Sequence, residues 1–339
     1  MKNSVVKFMI HYLQGGFIMK KLWLIFLLIT SIVFSWSAHE VLTYLIVKDF
    51  LPNSDEKIAI TSYSYQEDRV YNTDYLKLDD YCGQFINTFV PEDAIFYPPD
   101  PKPVNKEVFI WQVLTVYSVE PDLGMDEGLN LSPLQSIIGN SQGVRHMKYK
   151  LLILDFFEGS QSFYYFVDMS RKAFKNGDRY WGYRFLARAL HYLEDLSMPF
   201  HNSPATFLDT LKALSDKQMA QFLTNLHYSY DDYLAYLLYN ADEKTVEAII
   251  SAPVEKSRSL RQLIQKVRLL GLNNINTVSN EMKRNFEEEL KVRILNFDDF
   301  KFRKDELYTL KQTTVEIISR FSSIARGFLI DFLKEVGEI

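Results

Sequence analysis

Cysteine is almost missing from this chain, since Cys82 is the only one among 339 residues. One cysteine cannot form an internal disulfide, and the sequence has no cluster of cysteines that could bind zinc through thiolates. Glycine is also scarce, with 13 residues, whereas leucine, isoleucine, phenylalanine, tyrosine and lysine are abundant. This composition favours helices that pack through aromatic side chains.

The chain also lacks an excess of positive charge, and its formal net charge is −5. A protein that binds nucleic acid through bulk electrostatics carries a basic surface, so this charge argues against that class. It does not exclude a metal site that binds phosphate locally. Hydrophobic residues make up 47% of the chain, which is enough for a sizeable core and disfavours disorder.

The apolar run near the N-terminus is short for a membrane span. It follows Lys20 and Lys21 and ends at Ser35, a small residue, and this order is typical of a secretory signal peptide. We therefore expect residues 19–35 to be removed and residues 1–18 to be a misassigned upstream start, with an uncleaved membrane anchor as the alternative. The protein would be secreted, periplasmic or attached to the cell surface.

Histidine is rare, with six in the chain, yet two of them stand four residues before an aspartate. These pairs are His191 with Asp195 and His227 with Asp231. Residues four apart lie on one face of a helix, and zinc binds imidazole and carboxylate groups. A hydrogen-bonded surface pair is the alternative for either pair alone, but the repeated spacing favours a metal site.

Two helices are predicted to carry these pairs. Asp178 caps the first helix, which runs to about Leu196, and Ser215 caps the second. Pro199 disfavours further helix, so the chain should turn there and present His201 immediately afterwards. The first pair and His201 can therefore supply ligands to two neighbouring metal positions.

An acidic segment from Glu120 to Glu127 groups four carboxylates around a proline and a glycine. Turn-forming residues among acids predict a loop that presents carboxylates, with an ordinary solvated loop as the alternative. The apolar run at 111–119 that precedes this segment is typical of a core element.

The stretch from His191 to His201 resembles the metal-binding segment of the zinc-dependent phospholipase C family, which shares its fold with the single-strand-specific zinc nucleases. The family pattern H-Y-x-small-D-x-x-x-P-x-H is matched at His191, Tyr192, Asp195, Pro199 and His201. Two positions depart from the pattern. Glu194 stands where the family has a small residue, and Pro204 stands where the phospholipases tend to have asparagine.

The resemblance implies an all-α fold in which residues 36–339 form one multi-helix domain with three zinc ions. The implied ligands are, for the first ion, Asp122, His146, His191 and Asp195; for the second, Trp36, His39 and the other oxygen of Asp195; and for the third, His201, His227 and Asp231. Trp36 would bind through its free α-amino nitrogen and its carbonyl oxygen after cleavage. Asp126 is the alternative to Asp122, and one of the two would also orient or deprotonate the attacking water.

The same resemblance implies a secreted phosphodiester hydrolase that is similar to phospholipase C and uses metal-activated water. Its substrate would be a phospholipid or another phosphodiester, met at a membrane surface, and no protein partner is implied. Two alternatives stay open. One is a single-strand-specific zinc nuclease, for which nucleic acid would be the partner, and the other is a non-catalytic helical zinc protein.

Overall fold

The computed structural model describes residues 38–65, 91, 94–125, 129, 131, 142–151, 154–155, 157–213 and 215–339. The predicted signal segment, Trp36, Cys82 and Asp126 lie outside these residues. The protein is mostly helical and belongs to the all-α class, as the sequence predicts. A 3-10 helix spans Glu120–Leu123, and helices α1 to α12 span, in order, His39–Val47, Ile110–Tyr117, Gln142–His146, Gly159–Lys175, Arg179–Asp195, Pro199–Asn202, Phe207–Ala213, Lys217–Tyr239, Glu243–Ile250, Leu260–Leu290, Phe297–Phe302 and Tyr308–Val336.

The strands of the described residues form two small antiparallel pairs. Strand β1 (Lys57–Ala59) pairs with β2 (Glu107–Phe109), and Lys57 lies opposite Phe109. Strand β3 (Lys150–Leu151) pairs with β4 (Leu154–Asp155). The first pair leads directly into α2, every residue of which is buried, as the apolar run at 111–119 predicts.

Helix α5 lies at the centre of the fold, because every residue from Tyr180 to Asp195 is buried. Its N-terminus is capped as predicted, since the Asp178 carboxylate accepts the backbone N–H of Trp181 at 3.2 Å. The Asn176–Gly177 pair predicts the end of a helix over residues 160–175. Helix α4 does end there, where Gly177 turns the chain with a φ of +76°. A helix without a solvent-facing side belongs to the interior of a fold, and one hydrophobic core extends from α1 to α12 around it.

Two arginines of α5 are buried together with one carboxylate. Glu120 accepts hydrogen bonds from Nε of Arg184 at 3.0 Å and from Nε of Arg188 at 2.6 Å. The Arg184 guanidinium also lies 3.9 Å from the centre of the Tyr117 ring, a cation–π distance. The acidic segment therefore begins as a buried 3-10 helix fixed to α5, and the prediction of a loop is wrong for Glu120.

The turn before His201 lies earlier in the chain than predicted, before Pro199 instead of at it. The chain turns at Leu196–Met198, and Pro199 then begins α6 instead of ending helical structure. Proline fits this first helical position because its missing N–H would have no partner within the helix. His201 therefore lies on a short helix of its own.

The C-terminal helices complete the fold. The sequence pattern predicts two separate helices, at 260–270 and 281–292. In the structure, helix α10 runs from Leu260 to Leu290, with non-helical dihedral angles at Phe286. The spacing of apolar residues on helix α12 predicts one buried stripe, formed by Val315, Ile318, Phe321, Ile324, Phe328 and Phe332. The prediction is confirmed except at Val315, which is only partly buried. Among the helices that the structure describes, none has both the length and the hydrophobicity needed to cross a bilayer.

Candidate metal centre

Five helices and the 3-10 helix deliver imidazole and carboxylate groups to one buried region. Eight of the predicted ligands meet there, namely His39 at the start of α1, Asp122 on the 3-10 helix, His146 at the end of α3, His191 and Asp195 at the end of α5, His201 on α6, and His227 and Asp231 on α8. These residues form three groups that could each hold a metal ion, in which the ligand atoms lie within 4.8 Å of one another: His39–Asp122–His191, His146–His191–Asp195 and His201–His227–Asp231.

Asp195 lies at the centre of this region, because its two oxygens face four histidines. One oxygen, Oδ2, is 2.9 Å from Nδ1 of His146 and 3.3 Å from Nε2 of His191. The other, Oδ1, is 3.7 Å from Nε2 of His39 and 3.3 Å from Nδ1 of His201. A carboxylate placed in this way can bridge two metal ions, as the resemblance implies for Asp195.

Asp122 approaches the same histidines. Its Oδ1 is 3.4 Å from Nε2 of His191 and 3.6 Å from Nδ1 of His146, while its Oδ2 is 3.8 Å from Nε2 of His39. Asp122 therefore lies between the two metal positions that the resemblance separates, where it was expected to serve only one. Its alternative, Asp126, lies outside the described residues.

The third group combines α6 with α8. Nε2 of His227 is 3.1 Å from Oδ2 of Asp231, and Nε2 of His201 is 3.5 Å from the same oxygen. None of these three atoms has a hydrogen-bond partner in the part of the chain that the structure describes. Buried polar atoms without hydrogen bonds are costly, and a cation bound between them would satisfy all three. The donor set therefore fits a metal ion.

The local sequence explains how this group forms. His227 and Asp231 are four residues apart on α8, so they share a face. Helix α8 is capped by Asp216, whose side chain accepts the N–H groups of Gln218 and Met219, so the prediction of Ser215 as its cap is wrong by one residue. The backbone N–H of Lys148 donates to the carbonyl of His201 at 2.8 Å, which ties α6 to the segment that follows His146.

The electrostatics of the region favour bound positive charge. Burial opposes ionisation of Asp195, but His191 and His201 outweigh it and hold the pKa of this carboxyl well below its ordinary value. Burial likewise opposes ionisation of Asp231, and His227 outweighs it, so that pKa is also lowered. Burial lowers the pKa of His39 well below its ordinary value. Ionised carboxylates and a neutral imidazole are the forms that bind metals.

Glu194 is a site residue that stands out in the sequence only as a departure from the family pattern. Its Oε2 is 2.5 Å from Nδ1 of His39, and its Oε1 accepts the hydroxyl of Thr43 at 2.7 Å. Burial raises the pKa of Glu194 well above its ordinary value, so a cation close to it would favour the ionised form. The signal available in the sequence was an acidic residue between the predicted ligands His191 and Asp195.

Solvent reaches the centre at two of the eight residues. The side chain of His227 is 12% exposed and that of Asp122 is 8% exposed, whereas the other six are at most 3% exposed. The ring of Tyr228 stacks on His227 with centroids 5.3 Å apart. His227 and Asp122 therefore mark the solvent-facing side of the centre.

No protein-family model and no curated protein matches this chain. The conclusion for the site therefore rests on its donor atoms, which form several His/Asp groups that can bind a metal ion.

Proposed function

We propose that the protein is a zinc-dependent phosphodiester hydrolase, similar to phospholipase C, that cleaves the headgroup from a phospholipid. The observation that carries the proposal is the meeting of three His/Asp groups around the two oxygens of Asp195. A structural metal site needs one closed set of ligands. Here the three groups adjoin one another, and a histidine of each faces an oxygen of Asp195. Adjoining groups of this kind are instead typical of centres in which several ions act on one substrate.

The donor set supports zinc over magnesium or calcium. Each group combines imidazole with carboxylate and contains no thiolate, a set that suits zinc better than magnesium or calcium, which prefer oxygen ligands alone. Asp122, His146, His191 and Asp195 would hold one ion, and His39 would hold a second together with oxygens of Asp122 and Asp195. The third ion would lie in the His201–His227–Asp231 group. Bound zinc lowers the pKa of water and neutralises charge on phosphoryl oxygens.

Asp122 is the residue of this centre best placed to orient water and accept its proton. It is more exposed than Asp195, whose side chain is 0% exposed, so its carboxylate can meet water at the edge of the centre. A general base must lie within hydrogen-bond reach of the proton that it accepts. The buried residues around Asp195 exclude other water from the reaction.

The charge of the protein favours a lipid over a nucleic acid. The chain has 43 acidic and 38 basic residues, and such a surface does not attract a polyanion. A phospholipid with a zwitterionic headgroup carries a single phosphodiester and needs only the local charge of bound zinc.

The experiment measures hydrolysis by the chain that begins at Trp36, with phosphatidylcholine micelles and single-stranded DNA as parallel substrates. Each is assayed with and without a zinc chelator. The proposal predicts that only the lipid is hydrolysed and that this activity is lost when the chelator is present. Hydrolysis of DNA alone would replace the proposal with a nuclease, and hydrolysis of neither by a zinc-loaded protein would replace it with a non-catalytic zinc protein.

Single-residue variants test the ligand assignment itself. We expect His191→Ala and His201→Ala each to lose bound zinc, measured as ions per chain by elemental analysis. The matched control is Tyr183→Phe, which changes a buried residue of α5. Its hydroxyl bonds Glu338 and Asn53 and none of the predicted ligands among the described residues. Full zinc content in either histidine variant would contradict the assignment.

A further inference from the structure

His39 presents its two ring nitrogens to different partners. Nδ1 lies 2.5 Å from Oε2 of Glu194, while Nε2 faces Oδ2 of Asp122 at 3.8 Å and Oδ1 of Asp195 at 3.7 Å. The ring also lies against His191, with centroids 3.9 Å apart. Nε2 is therefore the nitrogen on the side of the candidate metal groups, and Nδ1 is on the side of Glu194.

Glu194 directs both of its oxygens toward α1. Oε1 accepts the hydroxyl of Thr43, which lies one helical turn after His39 on the same helix, at 2.7 Å. The carboxylate is fully buried and thus links the end of α5 to α1 through two hydrogen bonds. With both oxygens used in this way, Glu194 fits the role of a hydrogen-bond partner to a ligand and does not fit the role of a ligand itself.

We infer that Glu194, held by Thr43, positions His39 for metal binding by keeping the proton on Nδ1 and directing Nε2 toward Asp122 and Asp195. An imidazole nitrogen binds a metal only when it carries no proton, and a carboxylate on the other nitrogen sets the tautomer and the ring orientation. Glu194 and Asp195, which are adjacent on α5, thereby face opposite nitrogens of the His39 ring. This inference rests on the metal centre proposed above.

The inference accounts for an acid at a position where the resembling family has a small residue. A small residue at 194 could not reach His39 or Thr43 with a side-chain oxygen. In this chain, α5 therefore supplies both the shared carboxylate of Asp195 and the group that orients the histidine beside it.

The test compares zinc affinity among four variants, measured by competition with a chromophoric chelator, with zinc alone as the probe. Glu194→Ala removes the partner of His39, and Glu194→Gln retains its shape but removes its charge. Thr43→Val removes only the second hydrogen bond. Loss of such a partner typically weakens a metal site about 10- to 100-fold. We therefore expect Glu194→Ala to weaken the binding of one of the three ions by about this factor. The loss of affinity should be smaller in Glu194→Gln and smallest in Thr43→Val.

The fourth variant, Glu40→Gln, is the matched control. Glu40 is also a fully buried carboxylate of α1, but it accepts the Tyr239 hydroxyl at 2.6 Å and hydrogen-bonds none of the predicted ligands that the structure describes. We expect this variant to keep the affinity of all three ions. An equal loss in Glu40→Gln and Glu194→Gln would overturn the inference, because the effect would then be that of any buried negative charge.

A second measurement detects the proton directly. Nitrogen-15 NMR of the zinc-loaded protein should show His39 protonated at Nδ1 and bound at Nε2, with an Nδ1–H signal that is lost in Glu194→Ala. A His39 that binds through Nδ1, or an unchanged affinity in Glu194→Ala, would overturn the inference. A protein that binds three zinc ions with this tautomer but hydrolyses neither substrate would overturn only the proposed function.

Discussion

Glu120 is a buried carboxylate that two buried arginines share. It bonds Arg184 and Arg188, and Asp122 follows two residues later at the metal centre. Arg184, Arg188, His191 and Asp195 recur at spacings of three and four residues, so they form one stripe along α5. The 3-10 helix lies along this stripe, with Glu120 opposite the arginines and Asp122 opposite the ligands. Glu120 therefore fixes the position of Asp122.

Replacing this carboxylate should be costly. In Glu120→Gln two guanidinium groups stay buried without the charge that they share, and breaking a buried pair of this kind typically costs about 3–5 kcal/mol of unfolding free energy. Urea denaturation of the zinc-loaded protein measures the loss. We also expect weaker zinc binding, because the contacts of Glu120 with the two arginines would no longer fix the position of Asp122.

Glu56→Gln is the matched control for that prediction. Glu56 also binds an arginine side chain, with Oε1 2.5 Å from Arg179, but this pair lies at the surface. Exposed pairs contribute about 1 kcal/mol or less, so the two variants should differ clearly. Equal losses would mean that burial adds nothing to the interaction of Glu120.

The residue types of the site were partly predictable from the sequence. Histidine is rare and its spacing from aspartate repeats, so His191, Asp195, His227 and Asp231 can be grouped from their order along the chain alone. The partners Glu120 and Glu194 could not be found in this way. Their importance comes from burial against Arg184 and His39, and burial depends on contacts between residues far apart in the chain.

Helix α6 is held in place by the close approach of α10. The Asn202 amide donates to the carbonyls of Leu196 at 2.7 Å and Met198 at 2.9 Å, which closes the turn before His201. Gly271 of α10 lies against this turn, and a Cβ atom there would be 2.8 Å from the Met198 carbonyl oxygen. Only glycine allows α10 to pack so closely on the element that carries His201.

We predict that Gly271→Ala displaces α6. Overpacking of this kind typically lowers the free energy of unfolding by about 1–3 kcal/mol. The displacement should weaken the binding of the ion in the His201–His227–Asp231 group before that of the other ions. Thermal denaturation and zinc content per chain measure the two effects. The control Asn273→Ala, at an exposed position of the same helix, should change stability by no more than about 0.5 kcal/mol. Identical behaviour of both variants would contradict the prediction.

Helix boundaries were predictable from the sequence where a single residue was the clear candidate for the cap. Asp178 and Gly177 mark the junction of α4 and α5 because no other residue nearby competes for the cap. Ser215 and Asp216 are both good capping residues, so local sequence could not decide between them. The division of α10 into two helices failed for another reason, because packing along its length sustains the weaker middle part.

At the scale of the whole molecule, the centre joins residues from one end of the described chain to well past its middle. His39 on α1 and Asp231 on α8 are far apart in the sequence and come together only when the chain folds. Periodicity predicts helices but not which helix ends come together, so the placement of Asp122 between two metal positions could not follow from sequence pattern.

Metal removal should therefore destabilise the entire fold. Without ions, buried carboxylates and imidazoles from six elements lose their shared partner. Zinc at about 1,000 times its dissociation constant stabilises a protein by about 4 kcal/mol for one site, so a chelator should lower the thermal midpoint and added zinc should restore it.

Magnesium serves as the control for that experiment. It prefers oxygen ligands in an octahedral arrangement, so it should not restore the midpoint of the chelated protein. A thermal midpoint that is the same with and without chelator would show that the centre does not bind metal in the folded protein.

The burial of α5 from Tyr180 to Asp195 also affects how fast bound metal ions can dissociate. A helix with a solvent-facing side can open locally, whereas one covered on all sides opens only when most of the molecule unfolds. His191 and Asp195 are carried by such a helix, while His227 lies on α8 with part of its side chain in solvent. We therefore expect an ion bound at the α5 end of the centre to be retained for as long as the fold persists, and an ion bound beside His227 to exchange first.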